Sequence, residues 1–242
     1  MTKEACRVYE SNSLRQVTGG TLRPGGFTLT DKAVQYCGFK PGTTVLDLGC
    51  GTGATVEHLA AKYSLNAVGI DPSDRLLDIG GKRRPDLPLI QGRGESLPFL
   101  PGELDGILAE CAFSVMADLN PVLQECCRVL KNEGWLVVSD IYARNPEAVG
   151  YLRSLSPVSC LTGAISRCEL EEKLIQAGFH ILLWEDHSYA LKELVIQLIM
   201  THGSMKKFWQ ESQDGLDDCC GIQESIKKAR PGYFLLIARK GQ

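Results

Sequence analysis

The stretch TTVLDLGCGTG, residues 43–53, decides the fold of this chain. Its first six residues are β-branched or aliphatic apart from Asp47, which is typical of a central parallel strand buried on both faces. The glycine-rich residues that follow predict a sharp turn that lets a ligand lie against bare backbone. An apolar-periodic segment, residues 54–63, predicts a helix whose free N–H groups point back at that ligand. The residues of the turn are Gly49, Cys50, Gly51, Thr52 and Gly53.

Asp47, two residues before the first glycine, narrows the choice of ligand. Nicotinamide, flavin and S-adenosylmethionine enzymes all use a glycine-rich first turn, so the glycines alone do not separate them. A carboxylate in this place repels a pyrophosphate and attracts an ammonium group, which S-adenosylmethionine carries beside its sulfonium. The sequence VLDLGCGTG, residues 45–53, resembles the first motif of class I S-adenosylmethionine-dependent methyltransferases, and the resemblance implies that cofactor.

Asp71 is the predicted partner of the cofactor ribose. It ends the second predicted strand, residues 66–70, and lies 18 residues beyond Gly53. An acidic residue about 20 residues after such a turn reaches the ribose hydroxyls in dinucleotide folds. The same place also suits a helix cap, with Pro72 at the first helical position, so both roles remain open.

The stretch GRGESLPF, residues 92–99, resembles the adenine loop of the same family. An acidic residue usually follows the first glycine there and accepts a hydrogen bond from the adenine amino group. This chain has Arg93 in that place, and arginine carries only donors. We therefore expect the backbone of Arg93 and Gly94, together with the Glu95 carboxylate, to contact the adenine.

The order of the predicted elements gives an α/β fold. Strands and helices alternate as in a Rossmann-like, seven-stranded, mostly parallel sheet with helices on both faces. The segment RVLKNEGWLVVSD, residues 128–140, resembles the family's RVLKPGG segment and predicts a tight turn over residues 131–134. The predicted strands are residues 43–48, 66–70, 87–91, 104–109, 135–139, 179–184 and 233–239. The predicted helices are residues 29–37, capped by Thr30 or Asp31, and 54–63, 75–81, 121–130, 168–177, 191–202 and 222–228.

Two segments outside this pattern are assigned by composition. Residues 1–27 are polar and rich in glycine, which predicts a flexible N-terminal arm with at most a short turn near residues 6–15. In the family that the chain resembles, such a segment folds over the cofactor as a lid. The remainder, residues 28–242, is the methyltransferase domain, and a helical insertion at about residues 188–230 is expected to form a substrate lid or a dimer contact.

Cysteines stand at the carboxyl ends of two predicted strands. Glu110 and Cys111 follow the fourth strand and Cys160 follows the fifth, and ligands of open parallel sheets bind at this edge. ECAFSVM (residues 110–116) and SCLTGAI (residues 159–165) resemble segments of arsenite methyltransferases, in which cysteines hold trivalent arsenic. The alternative is a pair of buried thiols in a pocket that methylates another small molecule.

Composition excludes several classes of protein. A net charge of −3 gives no electrostatic reason to expect nucleic acid or an anionic membrane. The absence of a signal-like segment or long apolar run predicts a cytoplasmic location. None of the ten cysteines forms a C-x-x-C pair, so no metal site is expected. Cys37, Cys50, Cys126 and Cys127 are predicted to be buried apolar residues, and the pair Cys219–Cys220 is a candidate third thiol.

The sequence therefore favours an S-adenosylmethionine-dependent methyltransferase, a monomer or homodimer acting on a small molecule such as a thiol, a metalloid or a quinone-like compound. An arsenite methyltransferase is a special case of this function. A non-catalytic binding module that keeps the cofactor fold is suggested by Arg93 and by the altered turn at residues 132–133. A nicotinamide reductase ranks last because of Asp47. The predicted cofactor-binding residues are Asp47, Gly49, Cys50, Gly51, Gly53, Asp71, Pro72, Gly94, Glu95 and Glu110, and the candidate substrate-pocket residues are Cys111 and Cys160.

Overall fold

The computed structural model describes residues 9–153, 159–212, 224 and 226–241. Within them, one sheet of eight strands is flanked by helices on both faces. The strands are β1 (Thr44–Leu48), β2 (Asn66–Asp71), β3 (Leu89–Gln91), β4 (Leu104–Glu110), β5 (Leu130–Ala143), β6 (Ile165–Ser166), β7 (Phe179–Asp186) and β8 (Pro231–Lys240). The helices are α1 (Asn12–Thr18), α2 (Thr28–Cys37), α3 (Ala54–Tyr63), α4 (Asp74–Arg83), α5 (Leu119–Val129), α6 (Val149–Arg153), α7 (Arg167–Gln176), α8 (Ser188–His202) and α9 (Met205–Ser212).

The strand order places β1 near the centre of the sheet. The order is β3-β2-β1-β4-β5-β8-β7, and the two-residue strand β6 pairs with β5. Strands β1 to β5 pair in parallel, whereas β8 runs antiparallel to both β5 and β7. The predicted Rossmann-like α/β fold is confirmed, and β6 is the one strand that the sequence did not predict. Successive strands are added toward one edge of the sheet from β1 to β3 and toward the other edge from β4 to β5. The place between β1 and β4 is therefore the switch point of the sheet, where a crevice opens at the carboxyl ends of the strands.

Alternate side chains of β1 pack into two hydrophobic cores, one on each face of the sheet. Val45 belongs to the core on one face of the sheet, whereas Leu46 and Leu48 belong to the core on the other. All three side chains are almost fully buried. A strand that is apolar on both faces is stable only between two helical layers, so the composition of β1 dictates the three-layer architecture.

Two local predictions are wrong for reasons of tertiary structure. Residues 131–134, predicted as a tight turn, lie within β5 as an irregularity at which the pairing with β4 jumps from Leu130 to Trp135. Glu133 takes a positive φ of 61° there. Helix α2 begins at Thr28 without a side-chain cap, because Thr30 bonds to Glu110 and Asp31 bonds to α3 instead.

The N-terminal arm is packed rather than flexible from residue 9 onward. Helix α1 occupies part of it, and Tyr9, Leu14 and Leu22 are buried. They contact helices α8 and α9, which lie between β7 and β8 where a helical insertion was predicted. We call this contact the cap cluster: Tyr9, Leu14, Leu22, Leu76, Val115, Leu198, Phe208 and Trp209.

Some predictions fall on residues that the structure does not describe. Outside the described residues lie Cys6, the pair Cys219–Cys220, and residues 222, 223 and 225 of the helix predicted over residues 222–228. Residues 226–229 are helical. Among the helices described, none has the length and apolarity required to cross a lipid bilayer.

Candidate functional site

A cavity of about 40 Å³ lies at the carboxyl ends of β1 and β4, under the N-terminal arm. Predicted site residues that line it are Asp47, Gly49, Cys50, Gly51, Asp71, Glu110 and Cys111. The structure therefore brings most of the predicted cofactor residues together at the switch point of the sheet. Ligand sites commonly have volumes of roughly 300–1,000 Å³, so the cavity is closed in this conformation.

The glycine turn has the backbone that the sequence predicts, but its glycines serve different purposes. Gly49 has a φ of 80°, and a Cβ there would lie 2.7 Å from the Cβ of Ala112. Gly53 precedes α3 with a φ of 73°, and a Cβ there would lie 2.8 Å from a methyl group of Leu89. Gly49 thus permits a close approach of strand ends, whereas Gly53 permits helix packing and does not line the cavity.

Asp71 ties the glycine turn to the next helix. Its Oδ2 accepts a hydrogen bond from the Gly51 N–H at 2.9 Å, and its Oδ1 accepts one from the Ser73 N–H at 2.8 Å. Burial raises the pKa of Asp71, and these two hydrogen bonds oppose the shift. Ser73, not Asp71, caps α4, so Pro72 precedes the cap and lies outside the cavity wall. A carboxylate has about four acceptor positions, so Asp71 retains capacity for hydroxyl donors.

Two buried carboxylates, Asp47 and Glu110, line the cavity together with the buried Arg23 guanidinium. Arg23 Nη2 lies 2.8 Å from Glu110 Oε2, and both side chains are at most 5% exposed. Burial, and next the charge of Glu110, raise the pKa of Asp47 well above its usual value. The cavity is therefore an acidic site with one cation among its described lining residues.

Two threonine hydroxyls complete the network around Arg23. Thr55 Oγ1 accepts from Arg23 Nη1 at 3.0 Å and donates to Glu110 Oε2 at 3.1 Å. Thr30 Oγ1 accepts from Arg23 Nη2 at 2.8 Å and donates to Glu110 Oε1 at 2.7 Å. Each hydroxyl bonds to both the Arg23 guanidinium and the Glu110 carboxylate. The arm is therefore fixed to α2, α3 and β4 at one point.

The two candidate pocket cysteines meet beside this cavity. Cys111 and Cys160 line the same adjoining cavity, and the interaction with Cys160, followed by burial, raises the pKa of Cys111 well above its usual value. The Cys111 thiol also donates to Tyr233 Oη at 3.7 Å. Cys111 has a φ of 53°, a left-handed conformation that side chains other than glycine rarely adopt. The strained backbone aims the thiol at the junction of the arm and the sheet.

The predicted adenine contacts lie away from the cavity wall. Gly94 packs against α5, where a Cβ would lie 3.1 Å from a methyl group of Val122. Glu95 is half-buried, and its Oε2 is buried without a hydrogen-bond partner, 3.9 Å from the nitrogen Nε of Arg93. A buried carboxylate oxygen without a partner is an unused acceptor, which is the feature an adenine amino group requires.

Sequence reasoning missed four residues of the site: Tyr9, Arg23, Thr30 and Thr55. Arg23 precedes Pro24 in a glycine-rich stretch, and nothing in such a stretch indicates that a charged residue is buried. The position of Thr55 in the first turn of α3, directly after the glycine turn, is a signal that could have identified it. Of the four cysteines predicted to be buried, Cys37, Cys50 and Cys126 are buried and Cys127 is partly exposed.

Comparison with known proteins agrees with this geometry. Residues 46–138 match the family described as methyltransferase domain. That region, less than half of this chain, is similar to a methyltransferase domain. The resemblance deduced from the glycine turn is thereby confirmed. The domain begins in β1 and ends in β5, so it contains the glycine turn, Asp71, Glu110 and Cys111.

Related proteins align with this chain over only part of their own length. A demethylmenaquinone methyltransferase from Thermotoga maritima is 38% identical over 102 residues, which are 42% of this chain and 44% of that protein. The chain thus spans less than half of that relative.

Solved structures show that the fold extends beyond the domain. Phosphoethanolamine N-methyltransferase 2 of Haemonchus contortus, in complex with S-adenosylmethionine, superposes with a TM-score of 0.74 at 16% identity over 96% of this chain and 56% of that one. The [4+2]-cyclase SpnF superposes with a TM-score of 0.73 at 22% identity over 97% of this chain and 95% of that one. Since one of these proteins is a methyltransferase and the other a cyclase, the fold alone does not fix the chemistry.

Proposed function

We propose that this chain is an S-adenosylmethionine-dependent methyltransferase that acts on a small molecule. One observation carries the proposal: two buried carboxylates, Asp47 and Glu110, face a cavity over a bare-backbone turn at the switch point of the sheet. Such a site attracts a cation and repels a diphosphate. S-adenosylmethionine carries two positive groups and one carboxylate, and the site offers three acids, Asp47, Asp71 and Glu110, and one arginine, Arg23.

The residues of the site match the parts of this cofactor. Asp47 would hold the ammonium group, Arg23 the carboxylate, and the free acceptor positions of Asp71 the ribose hydroxyls. Glu95 Oε2, buried and without a hydrogen-bond partner, would accept from the adenine amino group once the loop over residues 92–99 adjusts. When bound, the cofactor supplies a methyl group that is attached to a sulfonium. As the lone pair of the acceptor forms a bond to the methyl carbon, the carbon–sulfur bond breaks and the sulfur leaves as a neutral thioether.

The arm would act as a lid. Residues 20–23 line the cavity, and Thr52 Oγ1 donates to the Gly20 carbonyl at 3.2 Å. The cavity of about 40 Å³ is too small for the cofactor, so the arm must move away to admit it. Closure afterwards excludes water, and a displacement at a sulfonium is helped mostly by positioning and desolvation.

Calorimetry with the two competing cofactors tests the proposal. We expect S-adenosylmethionine to bind and NADH not to bind. Asp71→Ala should weaken S-adenosylmethionine binding by about 1–3 kcal/mol, because the ribose hydroxyls lose a charged acceptor. Asp78→Ala, which removes an exposed carboxylate from α4, is the matched control and should leave binding unchanged. Tight binding of NADH alone would refute the proposal.

A second candidate, methyl transfer to a thiophilic metalloid, is favoured by the contact between Cys111 and Cys160. Two thiols on one side of a cavity suit trivalent arsenic, a soft ligand for sulfur. Each thiol proton would leave with a hydroxide of arsenous acid as water when an As–S bond forms.

The test compares cofactor consumption with arsenite and glutathione in the wild type, Cys111→Ser and Cys160→Ser. Loss of activity in both variants is expected for a thiol site. Cys168→Ser, which changes an exposed cysteine, is the control. Equal activity in all four proteins would remove the metalloid candidate and leave the general function intact.

A further inference from the structure

A second cavity of about 70 Å³ adjoins the cofactor cavity. It lies between the arm, helices α8 and α9, and the carboxyl end of β4. Tyr9, Leu22 and Cys111 line both cavities, so they form the partition between them. A molecule in the second cavity would have these three side chains between it and the cofactor cavity. At about 70 Å³ this cavity is also below the usual volume of ligand sites, so the arm must move to admit such a molecule.

The walls of this second cavity are apolar. Helix α8 contributes Leu191, Leu194 and Leu198, and α9 contributes Phe208 and Trp209. No aspartate, glutamate, lysine, arginine or histidine lines it among the described residues. A charged group placed there would lose its hydration without gaining an ion pair, which costs several kcal/mol or more. The cavity therefore rejects charged molecules, in contrast to the acidic cavity beside it.

Its few polar groups cluster at the end nearest β4 and already have partners. Tyr9 Oη accepts from the Cys160 N–H at 2.9 Å, and the Ser159 N–H donates to Thr162 Oγ1 at 2.8 Å. The Cys111 thiol, which donates to Tyr233 Oη, is a weak donor. A guest with many polar atoms would therefore leave most of them unsatisfied.

We infer that the second cavity is the methyl-acceptor site and that its acceptor is a small, uncharged, largely apolar molecule whose accepting atom lies at the Cys111 end. The inference rests on the proposed function, and it adds the chemical class of the acceptor. The proposed acceptor class differs from phosphoethanolamine, which is named for one structural neighbour, and from sarcosine, which is named for another. The apolar wall supplies affinity through buried area, and the partition supplies the contact with the cofactor.

A pair of ring compounds that differ in charge tests the acceptor class. The full chain, saturated with S-adenosylhomocysteine, is titrated with 2-naphthol and with 2-naphthalenesulfonate in a calorimeter. We expect 2-naphthol to bind at least tenfold more tightly, with a negative heat-capacity change from apolar burial. Equal or tighter binding of the sulfonate would overturn the inference, because the two compounds share the same ring.

Two variants on opposite faces of α8 locate the binding. Leu194→Trp fills the second cavity, whereas Ile196→Trp changes a side chain that is 56% exposed on the same helix. We expect 2-naphthol affinity to fall at least tenfold in Leu194→Trp and to stay at the wild-type value in Ile196→Trp. Equal affinity in the two variants would place the ligand elsewhere and overturn the inference. Because the charge comparison uses the wild type, it stands even if Leu194→Trp fails to fold.

Titration with S-adenosylmethionine separates this inference from the proposed function. If S-adenosylmethionine binds and 2-naphthol shows no preference over the sulfonate, the acceptor class is wrong and the proposed function stands. If 2-naphthol binds and S-adenosylmethionine does not, the proposed function is wrong, and the acceptor role of the cavity is lost with it.

Discussion

At the scale of single residues, the burial of Arg23 is the most consequential feature. Its guanidinium bonds to Glu110, Thr30 and Thr55, each from a different element. A buried ion pair gains little net stability over an apolar replacement of both partners, but removal of one partner leaves an uncompensated charge. Arg23 therefore couples the position of the arm to the charge state of the cavity.

This coupling predicts a large effect from one substitution. Arg23→Met should lower the free energy of unfolding by about 3–5 kcal/mol, because Glu110 stays buried without its cation. The double variant Arg23→Met/Glu110→Gln should recover part of that loss. Urea denaturation measures both changes through the midpoint at constant slope.

A surface arginine supplies the control for this comparison. Arg75 lies 3.9 Å from Glu10, and its side chain is 66% exposed. Arg75→Met should change stability by less than about 1 kcal/mol, as for other exposed ion pairs. A similar loss in the Arg23 and Arg75 variants would mean that the Arg23–Glu110 pair is no more than a surface contact.

Residue-level prediction from the sequence succeeded where backbone chemistry decides the role. Gly49 and Asp47 are identifiable because a turn after a buried strand needs a glycine, and an acid before it stands out among apolar residues. Arg23 and Thr30 are different, since their roles depend on burial and on hydrogen bonds to distant segments. Those properties arise from contacts between segments far apart in the chain, and local sequence patterns do not predict such contacts.

At the scale of elements, Asp31 on α2 joins that helix to α3. Its carboxylate accepts from Lys62 at 2.7 Å and from Tyr63 at 2.8 Å, and it lies 2.6 Å from His58 Nε2. Burial alone would raise the pKa of Asp31, but the hydrogen bonds from Lys62, His58 and Tyr63 outweigh it and bring the pKa to about 2. The link between the helices is thus strongest when Asp31 is ionised.

This link predicts a pH-dependent contribution to stability. The pKa of Asp31 is about 2 in the folded chain, below the value of about 4 expected in the unfolded chain. Its contribution is therefore complete above about pH 4 and is lost as the pH falls toward 2. We expect the difference in urea midpoint between the wild type and Asp31→Asn to shrink from pH 6 to pH 3. Asp78→Asn is the exposed control, and a difference independent of pH would contradict the prediction.

Helices and strands were predicted correctly where local interactions determine them. They were predicted wrongly where contacts between distant segments determine them. Helix α3 begins and ends where its apolar period and its flanking glycine place it, because these signals are local. The segment over residues 131–134 was mistaken for a turn because its conformation depends on β4, which restarts pairing only at Trp135. The start of α2 was missed because the two predicted caps are used in tertiary contacts.

At the scale of the whole molecule, the arm and the inserted helices enclose both cavities. Gly25 on the arm lies against Ala190 on α8, where a Cβ on the glycine would be 3.4 Å from the alanine Cβ. This separation is close to that of the two Cβ atoms in a disulfide. A pair of cysteines can therefore fix the arm covalently to α8 at a point outside the first cavity, although residue 25 then keeps a φ of 73°, which is strained for a side chain other than glycine.

The tether provides a test of arm opening. Oxidised Gly25→Cys/Ala190→Cys should bind S-adenosylmethionine at least tenfold more slowly than the same protein after reduction, because the cavity cannot enlarge while the arm is held. Stopped-flow binding measures the rate. The two single-cysteine variants under the same oxidant control for the native cysteines. An unchanged rate in the oxidised double variant would show that the cofactor enters without movement of the arm.

The place of β8 in the sheet affects how the chain is made. This strand lies between β5 and β7, and Leu235 pairs with Ser139 on one side and Glu185 on the other. Both neighbours leave the ribosome earlier, so the nascent chain carries two open sheet edges until residues 231–240 emerge. Open edges recruit other strands, and long-range pairings form slowly. Synthesis of this protein thus passes through an interval of vulnerability to aggregation, which ends when β8 pairs with β5 and β7.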